Sequence, residues 1–70
     1  MRPRPLIGLT TYRKEAVIGY PIDIDGLMPT YSNAIVAAGG LPVLIPQAVG
    51  EEELSLLLDE LDGLLIPGGG

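Results

Sequence analysis

An apolar strand that runs straight into glycine sets the terms for this chain. Leu64-Leu65-Ile66 is followed without a polar residue by Pro67-Gly68-Gly69-Gly70. Glycines at the C-terminal end of a buried strand let a backbone approach a ligand closely and turn its N–H groups toward an anion. Such a loop needs a further element to return to. Residues 1–70 are therefore expected to be the first part of a larger α/β domain. They would supply half of a binding cleft without the groups that carry out chemistry.

Length and composition support that expectation. A chain of 70 residues holds at most one domain. It buries only roughly 60% of the surface its unfolded form exposes, and its core rarely supplies more than about 3–5 kcal/mol. There is no Cys and no His, so neither a disulfide nor a good zinc site is available, and no cofactor or metal is expected. Hydrophobic residues make up 47% but aromatics only 4%, which suits buried parallel strands better than a free-standing miniprotein.

Charge narrows the partners. The net charge is −5, and all four cations, Arg2, Arg4, Arg13 and Lys14, lie near the amino terminus. The acidic excess argues against nucleic acid. The acids between residues 51 and 62 read as a solvated helix face. Absence of cysteine fits a cytoplasmic protein. The apolar run Leu6-Ile7-Gly8-Leu9 is too short for a signal sequence or a membrane span.

Three short apolar runs and two helical stripes organise the chain. Leu6-Ile7-Gly8-Leu9-Thr10 is the first strand, apolar throughout as a strand covered on both faces should be. Gly8 weakens it unless something packs closely there. Residues 11–28 have no clear period and carry Gly19, Pro21 and Gly26. They read as a long βα excursion of the lid or binding-loop kind, or as a surface loop with a short hairpin around residues 16–24. Pro29 then opens a helix with Tyr31, Ala34, Ile35 and Ala38 at i, i+3, i+4 and i+7, stopped by Gly39-Gly40. Leu41-Pro42-Val43-Leu44-Ile45 is the second strand. A second helix follows Gly50, with Glu51-Glu52-Glu53 complementing its dipole and Leu54, Leu57, Leu58 and Leu61 on one stripe. Asp59, Glu60 and Asp62 oppose that dipole, with no Lys or Arg near them in sequence. Residues 63–66 form the third strand.

The expected order is β-α-β-α-β with parallel strands. In a sheet ordered 2-1-3, the first and third strands are neighbours at the topological switch point. The loops at residues 10–13 and 67–70 then flank one crevice, where such sheets bind ligands.

The residues present exclude several chemistries. Thr10, Thr11, Thr30, Ser32 and Ser55 are hydroxyl candidates, but no His can activate them and Lys14 is the sole lysine. Asp23-Ile24-Asp25-Gly26 resembles the start of a calcium loop, yet Leu27 occupies the position where the next oxygen ligand belongs. Turn chemistry explains that segment better. The glycine loop has three readings besides a plain turn. The Gly-Lys-Ser/Thr of a Walker loop is absent or lies beyond Gly70, and Thr10-Thr11-Tyr12 is not the dinucleotide fingerprint after a first strand. The third reading is an oxyanion loop.

Three blocks go beyond generic α/β patterning. They are Ile7-Gly8-Leu9-Thr10-Thr11-Tyr12-Arg13; Tyr31-Ser32-Asn33-Ala34-Ile35 with Ala38-Gly39-Gly40-Leu41-Pro42-Val43-Leu44-Ile45-Pro46; and Leu57-Leu58 with Leu61-Asp62-Gly63-Leu64-Leu65-Ile66-Pro67-Gly68-Gly69-Gly70. In this order and spacing the chain resembles the opening of the class I glutamine amidotransferase-like hydrolases, most of all the γ-glutamyl-γ-aminobutyrate hydrolase, or peptidase C26-like, group. The resemblance implies a flavodoxin-like three-layer α/β/α fold with a parallel sheet, of which this chain supplies β-α-β-α-β. It implies hydrolysis of γ-glutamyl amides by a Cys nucleophile with a His base, neither of which is in these residues. It also implies that Gly69 gives its backbone N–H to an oxyanion hole, with Gly68 and Gly70 letting that peptide take the needed orientation. The pattern usually continues with an acid and a proline after the glycines, and this sequence has neither there.

By position, Thr11, Tyr12 and Arg13 are expected at the rim of the cleft, with Arg13 meeting the α-carboxylate of a small-molecule γ-glutamyl substrate. Tyr31 is expected to anchor its helix. Residues 1–70 alone are expected to be inactive. Two other classes stay open: a non-catalytic module whose glycine loop grips an anion, and an interaction fragment that pairs through strand edges. The choice among γ-glutamyl compounds and homo-oligomerisation also stay open.

Overall fold

The computed structural model describes residues 3–67. The elements are strand β1 (Leu6–Thr10), strands β2 (Tyr12–Val17) and β3 (Pro21–Gly26), helix α1 (Pro29–Ala37), strand β4 (Leu41–Ile45), helix α2 (Glu51–Glu60) and strand β5 (Gly63–Leu65).

The three apolar runs form one parallel sheet in the order β4-β1-β5. Its register runs from Leu6 opposite Leu41 to Thr10 opposite Ile45 on one side of β1. On the other side, Ile7 lies opposite Gly63 and Leu9 opposite Leu65. The C-terminal ends of β1 and β5 are thus level with each other. Parallel pairing requires long connections, which α1 and α2 supply.

The expected β-α-β-α-β order is corrected in one respect. Residues 12–26, read mainly as an aperiodic excursion, form an antiparallel hairpin between β1 and α1. It is longer than the hairpin weighed around residues 16–24. Its register pairs Tyr12 with Gly26 and Val17 with Pro21, and Ile18-Gly19-Tyr20 closes the turn. In β3 Ile22 and Ile24 alternate with Asp23 and Asp25, but β2 carries three charged residues in a row, Arg13, Lys14 and Glu15. Charged Arg13 and Glu15 face Asp25 and Asp23 across the ladder. Backbone pairing and the short loop define this hairpin, not a buried face.

The core centres on β1. Leu9 is fully buried and Ile45 nearly so. Gly8 is buried because the space where its Cβ would stand is already filled: that atom would lie 2.6 Å from Leu61 Cδ1 and 2.9 Å from Ile45 Cδ1. The close approach expected at this glycine is therefore present, and it is how the residue after α2 reaches the middle strand. Leu54 and Leu57 are half-buried on the same helical stripe, whereas Leu58 remains exposed.

Polar staples close the edges of the sheet. Helix α1 ends in a Schellman motif, in which the Gly40 N–H donates to the Ile35 carbonyl at 2.9 Å and the Gly39 N–H to the Val36 carbonyl at 3.0 Å. Gly39 takes φ +93°, where a side chain would be strained. The carbonyls of Gly39 and Gly40 accept hydrogen bonds from Arg4 Nε and Nη2, each at 3.0 Å, so a cation stands at the negative end of the helix dipole. Asp62, grouped in sequence with the acids ending α2, lies beyond the helix. Its carboxylate accepts from the Leu6 N–H at 2.7 Å, while its own N–H donates to the Leu6 carbonyl at 2.8 Å. That pair of bonds locks the start of β1 to the start of β5. At the other end of α2, Glu53 Oε1 accepts from the N–H of Gly50.

Candidate functional site

The level C-terminal ends of β1 and β5 define the candidate crevice. Leu9 pairs with Leu65, so Thr10 and Ile66 are the next residues along two adjacent strands. Pro67 is the last described residue on the β5 side. Gly68, Gly69 and Gly70, the expected oxyanion loop, lie outside the described residues.

On the β1 side the three expected rim residues have different environments. Thr11 turns inward. It is buried, and its hydroxyl donates to the Ile45 carbonyl at 2.7 Å. Its own carbonyl accepts a hydrogen bond from Gln47 Nε2. The hydroxyl therefore ties the end of β1 to the end of β4. Tyr12 is half-buried at the base of the hairpin. Arg13 is exposed, and its Nε donates to Asp25 Oδ1 at 3.1 Å. This contact leaves the two terminal nitrogens of the guanidinium outside the pair. Asp25 uses its other oxygen to accept from the Gln47 backbone N–H at 3.3 Å.

In the sequence Asp25 figures only in the rejected calcium-loop pattern, and Gln47 in no motif. Together they fasten the hairpin to the segment after β4, through one carboxylate and one side-chain amide. The signal for Asp25 was its place opposite Arg13, which becomes visible only once the hairpin register is known. Gln47 follows Pro46 in an exposed stretch and carries no local signal of its role.

Cavities lie on the hairpin and toward the starts of β1 and β5. One, of about 200 Å³, lies on the hairpin and is lined by Tyr12, Lys14, Ile24, Gly26, Leu27 and Met28. The other, of about 350 Å³, lies between α1 and β5, and Ile7, Ile35, Ala38 and Leu64 are among its walls. The second presents only apolar side chains and glycine backbone, so it offers nothing to orient a polar ligand. Among the described residues, no group of three or more acidic, His or Cys side chains is placed to hold a metal ion. No helix among them is long and apolar enough to cross a membrane.

Comparison with known proteins places this geometry in a family. The model of the peptidase C26 family matches residues 5–70. The chain is 34% identical over 74 aligned positions to a glutamine amidotransferase-like protein of Rickettsia prowazekii; the alignment covers 99% of this chain and 25% of that protein. It is 49% identical over 43 positions to a γ-glutamyl-γ-aminobutyrate hydrolase of Escherichia coli, covering 60% of this chain and 17% of that enzyme. The chain thus spans a quarter or less of the length of these curated relatives.

Proposed function

Because the chain belongs to the peptidase C26 family, we propose that it forms the amino-terminal part of one flavodoxin-like α/β/α domain that hydrolyses γ-glutamyl amides. The observation that carries this reading is the parallel order β4-β1-β5, with β1 and β5 ending side by side just before the glycine loop. A cleft at that edge is where ligands bind in open α/β sheets.

In this reading a Cys and a His from outside these residues supply the nucleophile and base, since the 70 residues contain neither. The thiolate sulfur adds to the γ-carbonyl carbon, and the carbonyl π electrons move onto oxygen. The backbone N–H of Gly69 donates to that oxyanion, with Gly68 and Gly70 shaping the peptide. Collapse of the adduct breaks the C–N bond, and the His gives the leaving amine its proton. Water then releases glutamate from the thioester. Because the N–H is fixed before the charge develops, it is worth more there than a comparable bond in water.

The rim of the site comes from Thr11, Tyr12 and Arg13. Thr11 sets the position of the rim through its bond to Ile45. The free edge of the Arg13 guanidinium meets the α-carboxylate of the glutamyl group, and Asp25, already paired with Arg13, stands where the α-ammonium comes. The substrate is a small γ-glutamyl compound, the enzyme works in the cytoplasm, and residues 1–70 alone are inactive.

The direct test supplies γ-glutamyl amides to the complete protein and measures free glutamate. Release of glutamate is expected, with none from residues 1–70 alone. Absence of release from every γ-glutamyl compound supplied to the complete protein would contradict the proposal.

A further inference from the structure

Hydrogen bonds, more than packing, aim the β2–β3 hairpin. No side chain of either strand is buried, so apolar burial does little to fix the angle at which the hairpin leaves the sheet. A two-stranded ribbon is also only marginally stable by itself. Its direction depends on what its base is tied to.

Among the described residues, three hydrogen bonds run from that base to the end of β4 and the residues after it. The Thr11 hydroxyl donates to the Ile45 carbonyl. The Thr11 carbonyl accepts from Gln47 Nε2. Asp25 Oδ2 accepts from the Gln47 backbone N–H. Gln47 therefore makes two of the three, one at the residue that leads into β2 and one near the end of β3. Attachment at Thr11 alone leaves a pivot, and the second point on β3 removes it. The Thr11 carbonyl can only accept, so only the NH₂ end of the Gln47 amide fits there.

The carboxylate that Gln47 holds also holds Arg13. Asp25 Oδ1 accepts from Arg13 Nε at 3.1 Å while Oδ2 faces Gln47. Arg13 is exposed and Asp25 half-buried. An exposed ion pair loses side-chain entropy to keep one geometry, and it keeps that geometry better when one partner is already fixed. Position thus passes from the end of β4, through Gln47 and Asp25, to the guanidinium. All of these groups adjoin the C-terminal end of β1, which borders the candidate crevice.

Building on the reading in which Arg13 meets the α-carboxylate of a γ-glutamyl substrate, we propose that Gln47 is a positioning residue of the rim. It touches no substrate. Its side-chain amide and backbone N–H set the hairpin, and through Asp25 the Arg13 guanidinium, against the end of the sheet. The α-carboxylate is remote from the bond that breaks, so it is held equally in the ground and transition states. Loosening its partner raises KM and leaves kcat.

The experiment measures kcat and KM of the complete protein on γ-glutamyl-p-nitroanilide, whose amine side carries no charge, for Gln47→Ala, Gln47→Glu, Arg13→Ala and the Gln47→Ala/Arg13→Ala double variant. In Gln47→Ala, KM should rise about fivefold with kcat within about twofold, the equivalent of one hydrogen bond's net contribution. Gln47→Glu keeps the length of the side chain but removes the N–H donor, so it should raise KM at least as much. With Arg13 already replaced, Gln47→Ala should change KM by less than about twofold, because nothing remains for it to position. Hydrogen exchange reads the same device without turnover: in Gln47→Ala the amides of β2 and β3 should exchange at least about threefold faster relative to those of β1 and β4. An unchanged KM in Gln47→Ala, in Gln47→Glu or in Arg13→Ala overturns the inference and leaves γ-glutamyl hydrolysis standing. So does an equal effect of Gln47→Ala with and without Arg13, or unaltered exchange in the hairpin. An unaltered protein that releases no glutamate from any γ-glutamyl amide contradicts the hydrolase reading itself, and the inference with it.

Discussion

The parallel sheet and the β2–β3 hairpin are joined at Thr11 but held together by different physics. In the sheet, β1 is flanked on both sides, Leu9 has no exposed surface, and the strand ends are closed by Asp62 and Arg4. The hairpin buries no side chain fully, and its far end exposes Val17, Ile18 and Tyr20. The bonds that tie it to β4 are few and polar: Thr11 to Ile45, Gln47 to Thr11, and Asp25 to Gln47. Packing thus fixes the frame of the candidate cleft, while a small polar network sets the part that would face a substrate. Specificity can change on such a hairpin without rebuilding the core.

The largest expected effect comes from the sheet. Leu9→Ala in the complete protein should cost about 3 kcal/mol, because it removes a side chain with no exposed surface and leaves a cavity in the core. Urea denaturation measures this as a lower midpoint. A loss under about 1 kcal/mol would mean that β1 is not the centre of the core. The smallest expected effect comes from the hairpin tip. Val17→Ser should change stability by less than about 0.5 kcal/mol, since Val17 is 74% exposed. A loss comparable to that of Leu9→Ala would show that another part of the complete protein covers the tip, and the contrast between the two regions would fail.

The same division explains what could be read in advance. The strands at Leu6–Thr10 and Leu41–Ile45 follow from apolar runs bounded by breakers, and α1 ends where Gly39-Gly40 says it should. Gly8 posed the right question in sequence, and the side chains of Leu61 and Ile45 answer it. The hairpin was only half visible because the charged run Arg13-Lys14-Glu15 breaks the alternation in β2, although Ile22 and Ile24 alternate with Asp23 and Asp25 in β3. Asp62 looked like an unfavourable helix charge because its partner, Leu6, is 56 residues away in sequence. Arg4 likewise meets α1 only through the fold. Of the candidate rim residues, position alone points to Thr11, and its inward hydroxyl is not legible in sequence, since that depends on the Ile45 carbonyl at the end of a neighbouring strand.

The most direct test of the central claim, that this frame presents an oxyanion-binding backbone to a γ-glutamyl substrate, is the kcat of Gly69→Pro in the complete protein, with Gly69→Ala as the variant that keeps the N–H. Removing one such donor should lower kcat by about 10²–10³-fold with KM nearly unchanged, while Gly69→Ala retains substantially more activity. A Gly69→Pro protein that is folded and hydrolyses γ-glutamyl amides at the original kcat would contradict the account.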